Sequence, residues 1–402
     1  MRSGCAAPPR RDRLGSRAEG SADEVNGTAF IAPISKLIID LVVNHTGRDA
    51  TLATNAHPDW FHSAATCAAL GASQIFCPLN GLPDFAQEDP AVANYLTTVS
   101  GNWVSRLEPD GIRMDTAVNV LPSYFAKSFV PGVRAKKGNL FLLAEVFDGG
   151  PFSGHIQPVL QTGFDSTFNY PLHFALAAAF AQGGSMDLVA ANIDSAIATL
   201  GIAQTRMLTT MLDNHDVPRF MTNAAAGTAP AELGSRYALA MTALFTLPGI
   251  PQIYQGDELG AFDTDNRRDM PIAAFYVAGR ATLGTGYLPN PAAIFRRTQK
   301  LIELRRANDA LSAGDYTESW RPNGASTNAL IFTRQTADET VIVAINAGAS
   351  ATGPLSIRSK VADGTALIEL LGEGAPAAIT ASGGRLAIYL PAKTAAIYRV
   401  RN

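Results

Sequence analysis

An α/β protein built on a (β/α)8-type (TIM) barrel, followed by a C-terminal antiparallel β-sandwich, is the fold class the sequence predicts. Three observations predict it. Short apolar runs end repeatedly in polar, chemically capable groups: LIIDLVVNHTG (37–47), DGIRMDTAVN (110–119), NLFLLAEVFD (139–148), RMLTTMLDNHD (206–216) and PGIPQIYQGDE (248–258). Such runs suit strands buried on both faces, as in a parallel sheet covered by helices. Helical patterns separate several of them, the alternation expected of βα units. After residue 310 the texture changes to short strands broken by turn-rich segments, the pattern of a small antiparallel sandwich.

Taken in order, residues 1–28 are rich in Arg, Gly, Ser and Ala without helical or strand periodicity, and read as a disordered leader. A first strand is expected over 36–43. Residues 46–84 form a loop-rich excursion, too long for an ordinary βα connection, with Cys67 and Cys77 inside it. The spacing of Val92, Tyr95, Leu96, Val99, Trp103 and Leu107 predicts a helix over 87–107 with those side chains on its apolar face. Strands follow at 111–115, 140–146 and 164–168, then a helix at 188–200. A strand at 207–212 precedes a helix at 232–245, and a last barrel strand at 250–254 precedes a helix at 295–306. The resulting division is 1–35 leader, 36–310 barrel with the 46–84 insertion, and 311–402 sandwich. ALIFTRQ, TVIVAINAG, ALIELLG, RLAIYLP and AAIYRV supply the sandwich strands.

The chain has 402 residues, 47% of them hydrophobic and 17% charged, enough to bury a large core in two or more domains. A net charge of −3 gives no support to a nucleic-acid footprint, and no apolar run approaches the ~20 residues that span a bilayer. Neither nucleic acid nor membrane is therefore an expected partner. No apolar signal core precedes the first strand. Cys67 and Cys77 either close a small disulfide or remain free thiols. A disulfide would be the one pointer toward an extracellular or periplasmic setting, and compartment and oligomeric state stay open.

The chemistry centres on residues 110–119. Arg113 and Asp115 lie two apart, so on a strand they project from one face. An arginine beside a carboxylate favours its ionised form, which is what a covalent nucleophile requires. A structural Asp–Arg pair is the plainer reading of this stretch alone. Its companions change that. Glu145 ends an apolar strand, where partial desolvation raises a carboxyl toward general-acid use. Asp216 ends another strand within Asn214-His215-Asp216, a cluster that also suits capping the next helix. Asp40 and His45 lie on and just past the first strand. Three acids on separate strand ends of one barrel face match the site position of such barrels. Two carboxyls, one ionised and one protonated, suit glycoside hydrolysis. Trp60, Phe61, Phe147 and Tyr254 are aromatics available to stack on sugar rings or pack in the core. His57, His62, His155 and His173 receive no chemical role.

DLVVNH (40–45), GIRMDTAVN (111–119), EVF (145–147) and LDNHD (212–216) resemble, in order, four short motifs of the α-amylase family, glycoside hydrolase family 13. GLPDF (81–85) resembles a motif of that family's inserted domain B. PGIPQIYQGDELG and DNRRDMP (265–271) are similar to its eighth-strand region. The resemblance implies an α-retaining glycosidase acting on α-1,4 bonds of maltooligosaccharides, starch-like glucans or cyclodextrins. Asp115 would be the nucleophile, Glu145 the acid/base and Asp216 the transition-state stabiliser. Arg113, His45, His215 and Asp40 would serve substrate binding or orientation. A structural Ca2+ is implied at Asn44 and Asp84, whose hard oxygens suit that ion. The resemblance further implies two barrel strands ahead of the first one found, so a barrel incomplete at its N-terminus and open at its sheet edges is expected. Val118-Asn119 departs from the Lys-His that often ends the second motif. Two other readings remain: a catalytically silent, truncated, carbohydrate-binding relative, and a transglycosylase of the same family.

Overall fold

The computed structural model describes residues 36–71, 73–224, 226–269 and 286–400. The expected leader, the last two residues of DNRRDMP and the C-terminal pair 401–402 lie outside them.

Six parallel strands carry the first part of the chain. Ile38–Leu41 (β1), Gly111–Met114 (β2), Phe141–Ala144 (β3) and Ser166–Thr167 (β4) form one sheet in sequence order. Thr209–Thr210 (β5) and Ile250–Pro251 (β6) pair in parallel, and a parallel bridge from Phe168 to Thr209 connects the two groups. Adjacent parallel strands require helical crossovers, and helices such as Pro90–Leu107, Asp187–Met207 and Pro230–Thr246 lie between them. The register places Asp40 beside Arg113 on β1 and β2, and Met114 beside Ala144 on β2 and β3. Asp115 and Glu145 therefore leave neighbouring strand ends at the same level. Gly111 permits this: a Cβ there would lie 2.5 Å from the Phe141 carbonyl oxygen.

The helix Pro90–Leu107 corrects one expectation. It buries Val92, Leu96, Ser100 and Val104, a stripe of period four, while Tyr95, Trp103 and Leu107 stay exposed. Small residues decide the face, because Ser100 and Gly101 let the helix approach its neighbours closely, Gly101 against Lys136. Among the described residues the outer edge of β1 has no partner strand, and Leu37, Ile38 and Val42 there are 50%, 44% and 45% exposed.

In the excursion, Cys67 and Cys77 are bridged. Its ends are tied by antiparallel bridges from His45 to Asp84 and from Phe61 to Phe85. Phe61 accordingly packs on Phe85, with ring centroids 4.5 Å apart.

From Asp315 the chain is antiparallel. Asp315–Trp320 (β7), Ala329–Gln335 (β8), Thr340–Asn346 (β9), Ala366–Glu369 (β11), Ala378–Thr380 (β12) and Thr394–Val400 (β14) form one sheet, order β12-β11-β14-β9-β8-β7. Leu355–Arg358 (β10) and Arg385–Ile388 (β13) form a separate antiparallel pair. One face of the larger sheet, including Ile331 and Ile342, packs on Ile357, Leu386 and Ile388 of that pair. The other face, including Leu330, Phe332 and Val343, joins a core shared with Tyr237 and Leu244 of the helix Pro230–Thr246. Buried Arg334 crosses the same boundary and donates to the carbonyls of Thr246 at 2.7 Å and Gly314 at 2.9 Å.

Candidate active site

One guanidinium gathers the acids. Arg113 Nη1 donates to Asp115 Oδ1 at 2.6 Å and to Asp40 Oδ1 and Oδ2 at 3.0 and 3.1 Å. Its Nη2 pairs with Glu145 Oε1 at 2.5 Å and approaches Asp216 Oδ2 at 3.9 Å. Burial pulls this guanidinium toward losing its proton, but the carboxylates of Glu145, Asp40 and Asp115 outweigh that and hold it firmly charged. A planar donor fork with partners on both nitrogens fixes its acids in direction as well as distance.

Glu145 is the buried member of the set, 3% exposed. Desolvation pushes its carboxyl above the ordinary glutamate value, against the opposing pull of Arg113. Its Oε2 accepts from the Thr116 backbone N–H at 3.1 Å, and its Oε1 accepts from the Tyr170 hydroxyl at 3.2 Å. Thr116 adopts a left-handed conformation, φ 46°, immediately after Asp115. A β-branched residue there is strained by roughly 1–3 kcal/mol, and the turn points its N–H at Glu145.

Asp216 sits on the turn after β5. Asn214 Oδ1 accepts from the Asp216 N–H at 2.8 Å, while Asn214 Nδ2 donates to Tyr170 at 2.8 Å. His215 Nε2 lies 3.0 Å from Asp216 Oδ2, and Arg267 Nη2 donates to its Oδ1 at 3.2 Å. Beneath this turn Arg219 is buried between Asp213 and Asp257, at 3.4 and 3.6 Å. Burial raises both of those carboxyls.

Arg113, Asp115, Glu145, Asp216, His215 and Asp40 thus come together. Asp40 contributes through its bond to Arg113, as a positioning group. His45 makes its contacts elsewhere, with Asn44 and, through a backbone bridge, with Asp84. Tyr170 and Arg267 belong to the site without a role assigned from sequence. Tyr170 carries no motif beyond its place after a weak strand pattern, and Arg267 lies within DNRRDMP. Of the aromatics, Phe147 is 49% exposed and lies 4.5 Å from the Tyr170 ring, beside Glu145. Trp60 stacks on His57, and Tyr254 lies under Arg219.

Asn44 and Asp84 are adjacent and fully buried. With its amide oxygen turned inward, Asn44 faces Asp84 Oδ1 at 3.2 Å and the Asn119 carbonyl oxygen at 2.8 Å. Turned over, its nitrogen donates to both instead. In the first orientation three oxygens converge, a donor set that suits a hard cation. His62 lies on the far side, with Nδ1 2.7 Å from Asp84 Oδ2 and Nε2 2.8 Å from Glu88 Oε1. Burial raises the Asp84 carboxyl in spite of His62. Among the described residues no group of three or more His, Cys, Asp and Glu side chains gathers as a metal site.

Residues 73–280 match the sequence profile described as the alpha amylase catalytic domain. The chain is 31% identical to an alpha-amylase of Streptomyces lividans, over 72% of this chain and 34% of that protein. It is 27% identical to a cyclomaltodextrinase of Thermoanaerobacter pseudethanolicus, over 77% of this chain and 52% of that protein. The chain thus spans a third to about half of the length of these relatives. The crystal structure of an alpha-amylase from Geobacillus thermoleovorans, complexed with acarbose, superposes with a TM-score of 0.75 at 28% identity, over 91% of this chain and 77% of that one. Six parallel strands, the acids at their ends, the C-terminal sheet and these likenesses agree: the chain belongs to the α-amylase family, glycoside hydrolase family 13.

Proposed function

We propose that the chain hydrolyses α-1,4-glucosidic bonds of maltooligosaccharides, starch-like glucans or cyclodextrins by double displacement with retention. The observation that carries this is Arg113 holding Asp115 at 2.6 Å and Glu145 at 2.5 Å, with the second carboxyl raised by burial. Asp115 attacks the anomeric carbon. As that bond forms, the glycosidic bond breaks and the leaving oxygen takes the proton of Glu145. Glu145, now ionised, removes a proton from water, whose oxygen displaces Asp115 and frees the sugar. Asp216, steadied by His215 and Arg267, accepts sugar hydroxyl hydrogen bonds that tighten in the transition state. A silent scaffold has no use for a glutamate held away from its preferred ionisation. Phe147, apolar and exposed beside Glu145, favours transglycosylation as the second reading, because it offers a face on which an acceptor sugar would stack in competition with water.

Asn44, Asp84 and the Asn119 carbonyl would hold a Ca2+ that joins the excursion to the ends of β1 and β2. Its chemistry there is structural, neutralising buried oxygens. The Cys67–Cys77 bridge supports an oxidising, extracellular or periplasmic setting. Release of reducing sugar from maltoheptaose tests the activity. Asp115→Asn is expected to lose at least about 10^3-fold in kcat, with a melting temperature near that of the parent. Turnover retained in the variant would overturn the assignment.

A further inference from the structure

A cavity of about 700 Å3 lies in a groove of the C-terminal sandwich, apart from the acid cluster. That size falls within the range of small-molecule sites. Its floor is the sandwich-facing side of β7, β8 and β9. Side chains alternate along a strand, so Thr333 and Gln335 continue the face begun by Ile331, and Thr340 continues that of Ile342. Ile331 and Ile342 are core residues packed against the β10–β13 pair. Beyond the cover of that pair the same face turns polar, with Thr317, Ser319, Thr333, Gln335 and Thr340 lining the groove. Hydroxyls and an amide both donate and accept, which matches a polyhydroxylated ligand.

The wall is cationic. Arg358, Lys360 and Arg385 line it, and Arg358 lies directly opposite Arg385 in the register of β10 and β13. Like charges in that relation destabilise a strand pair. Arg385 is held by Ser356, donating from Nε to Oγ at 2.6 Å and from Nη2 to the carbonyl at 2.9 Å. No carboxylate pairs with Arg358, Lys360 or Arg385 among the described residues. The one acid in the lining, Glu318, is turned toward Arg321, which donates to it at 2.9 Å. A bound anion would relieve the repulsion between the arginines, and guanidinium forks suit phosphate oxygens. The lining holds no aromatic ring, so a neutral glucan would find no stacking platform.

From this arrangement we propose that the groove binds a phosphorylated sugar, its phosphate monoester on Arg358, Lys360 and Arg385 and its hydroxyls on the β7–β9 floor. This assignment is independent of the acid cluster. Isothermal calorimetry of the full chain with glucose 6-phosphate, inorganic phosphate and glucose tests it. Glucose 6-phosphate is expected to bind at one site, more tightly than inorganic phosphate, with no heat from glucose. The double substitution Arg358→Ala/Lys360→Ala removes exposed side chains and is expected to weaken binding about tenfold or more, the scale of one lost charge-assisted contact. Thr333→Val is expected to weaken glucose 6-phosphate and leave inorganic phosphate unchanged. Absence of glucose 6-phosphate binding, binding indifferent to the double substitution, or equal affinity for inorganic phosphate would overturn the proposal. Circular dichroism matching the parent shows that the variants fold.

Discussion

Glu145 carries an energetic cost that the rest of the fold must offset. Burial places its carboxyl above the ordinary glutamate value, with Arg113 only partly opposing. A carboxyl raised on folding stabilises the native state fully while the pH is below its unfolded pKa, and that contribution is lost as pH rises through the folded one. At neutral pH, above the unfolded value, that contribution is diminished and the buried carboxyl is a net burden. Glu145→Gln, with the shape of the neutral acid, is expected to raise Tm at neutral pH by roughly 1–4 °C, with the gain vanishing on acidification below the unfolded value. Thermal melts across pH check this, and an unchanged or lower Tm at neutral pH would contradict it. The same direction places the alkaline limb of kcat/KM above the ordinary carboxyl range. At this scale Arg113 and Asp115 are legible because strand alternation alone sets them on one face. The Tyr170 and Arg267 contacts are not. Tyr170 reaches Glu145 across 25 residues of chain and Arg267 reaches Asp216 across 51, so only packing brings them there. The pairing of His62 with Asp84 and Glu88 is hidden for the same reason.

At the scale of elements, the site depends on how closely β2 and β3 approach. Gly111→Ala would drive a Cβ into the Phe141 carbonyl and is expected to cost about 1–3 kcal/mol of stability. Because Arg113 and Asp115 follow on the same strand, kcat is expected to fall with it. Denaturant melts and maltoheptaose kinetics check both; an unperturbed variant would show that the close approach is not required. The end of β1, the excursion and the turn after β2 meet at Asn44, Asp84 and Asn119. If these oxygens hold Ca2+, EGTA is expected to lower Tm in the parent and to have no effect in Asn44→Ala. Equal responses in the two proteins would contradict the site. Long, strongly patterned elements are visible from sequence: β8 and β9 begin where their apolar runs do, and Pro230–Thr246 extends its predicted helix only slightly. β7 and β10 are not visible, because DYTESW and LSIR are short, largely polar edge segments whose identity comes from their partners.

For the whole molecule, the helix Pro230–Thr246 shares one apolar core with the C-terminal sheet and with Leu212, just past β5, so that sheet buttresses the turn that carries Asp216, while β2 and β3 are packed in a separate core. The order of the motifs along the chain makes this architecture readable. An open apolar sheet edge is expected from the sequence, and the structure identifies the side chains on it as Leu37, Ile38 and Val42. The central claim is that Asp115 becomes covalently linked to sugar while Glu145 manages the proton. α-Maltosyl fluoride separates these roles, because fluoride leaves without an acid, whereas release of the sugar still needs Glu145 as base. Mass spectrometry of Glu145→Gln protein after reaction with α-maltosyl fluoride is the most direct test. The account predicts a single maltosyl adduct on the peptide containing Asp115, absent from Asp115→Asn. An adduct on Asp216, or release of maltose at the parent rate with no adduct, would contradict it.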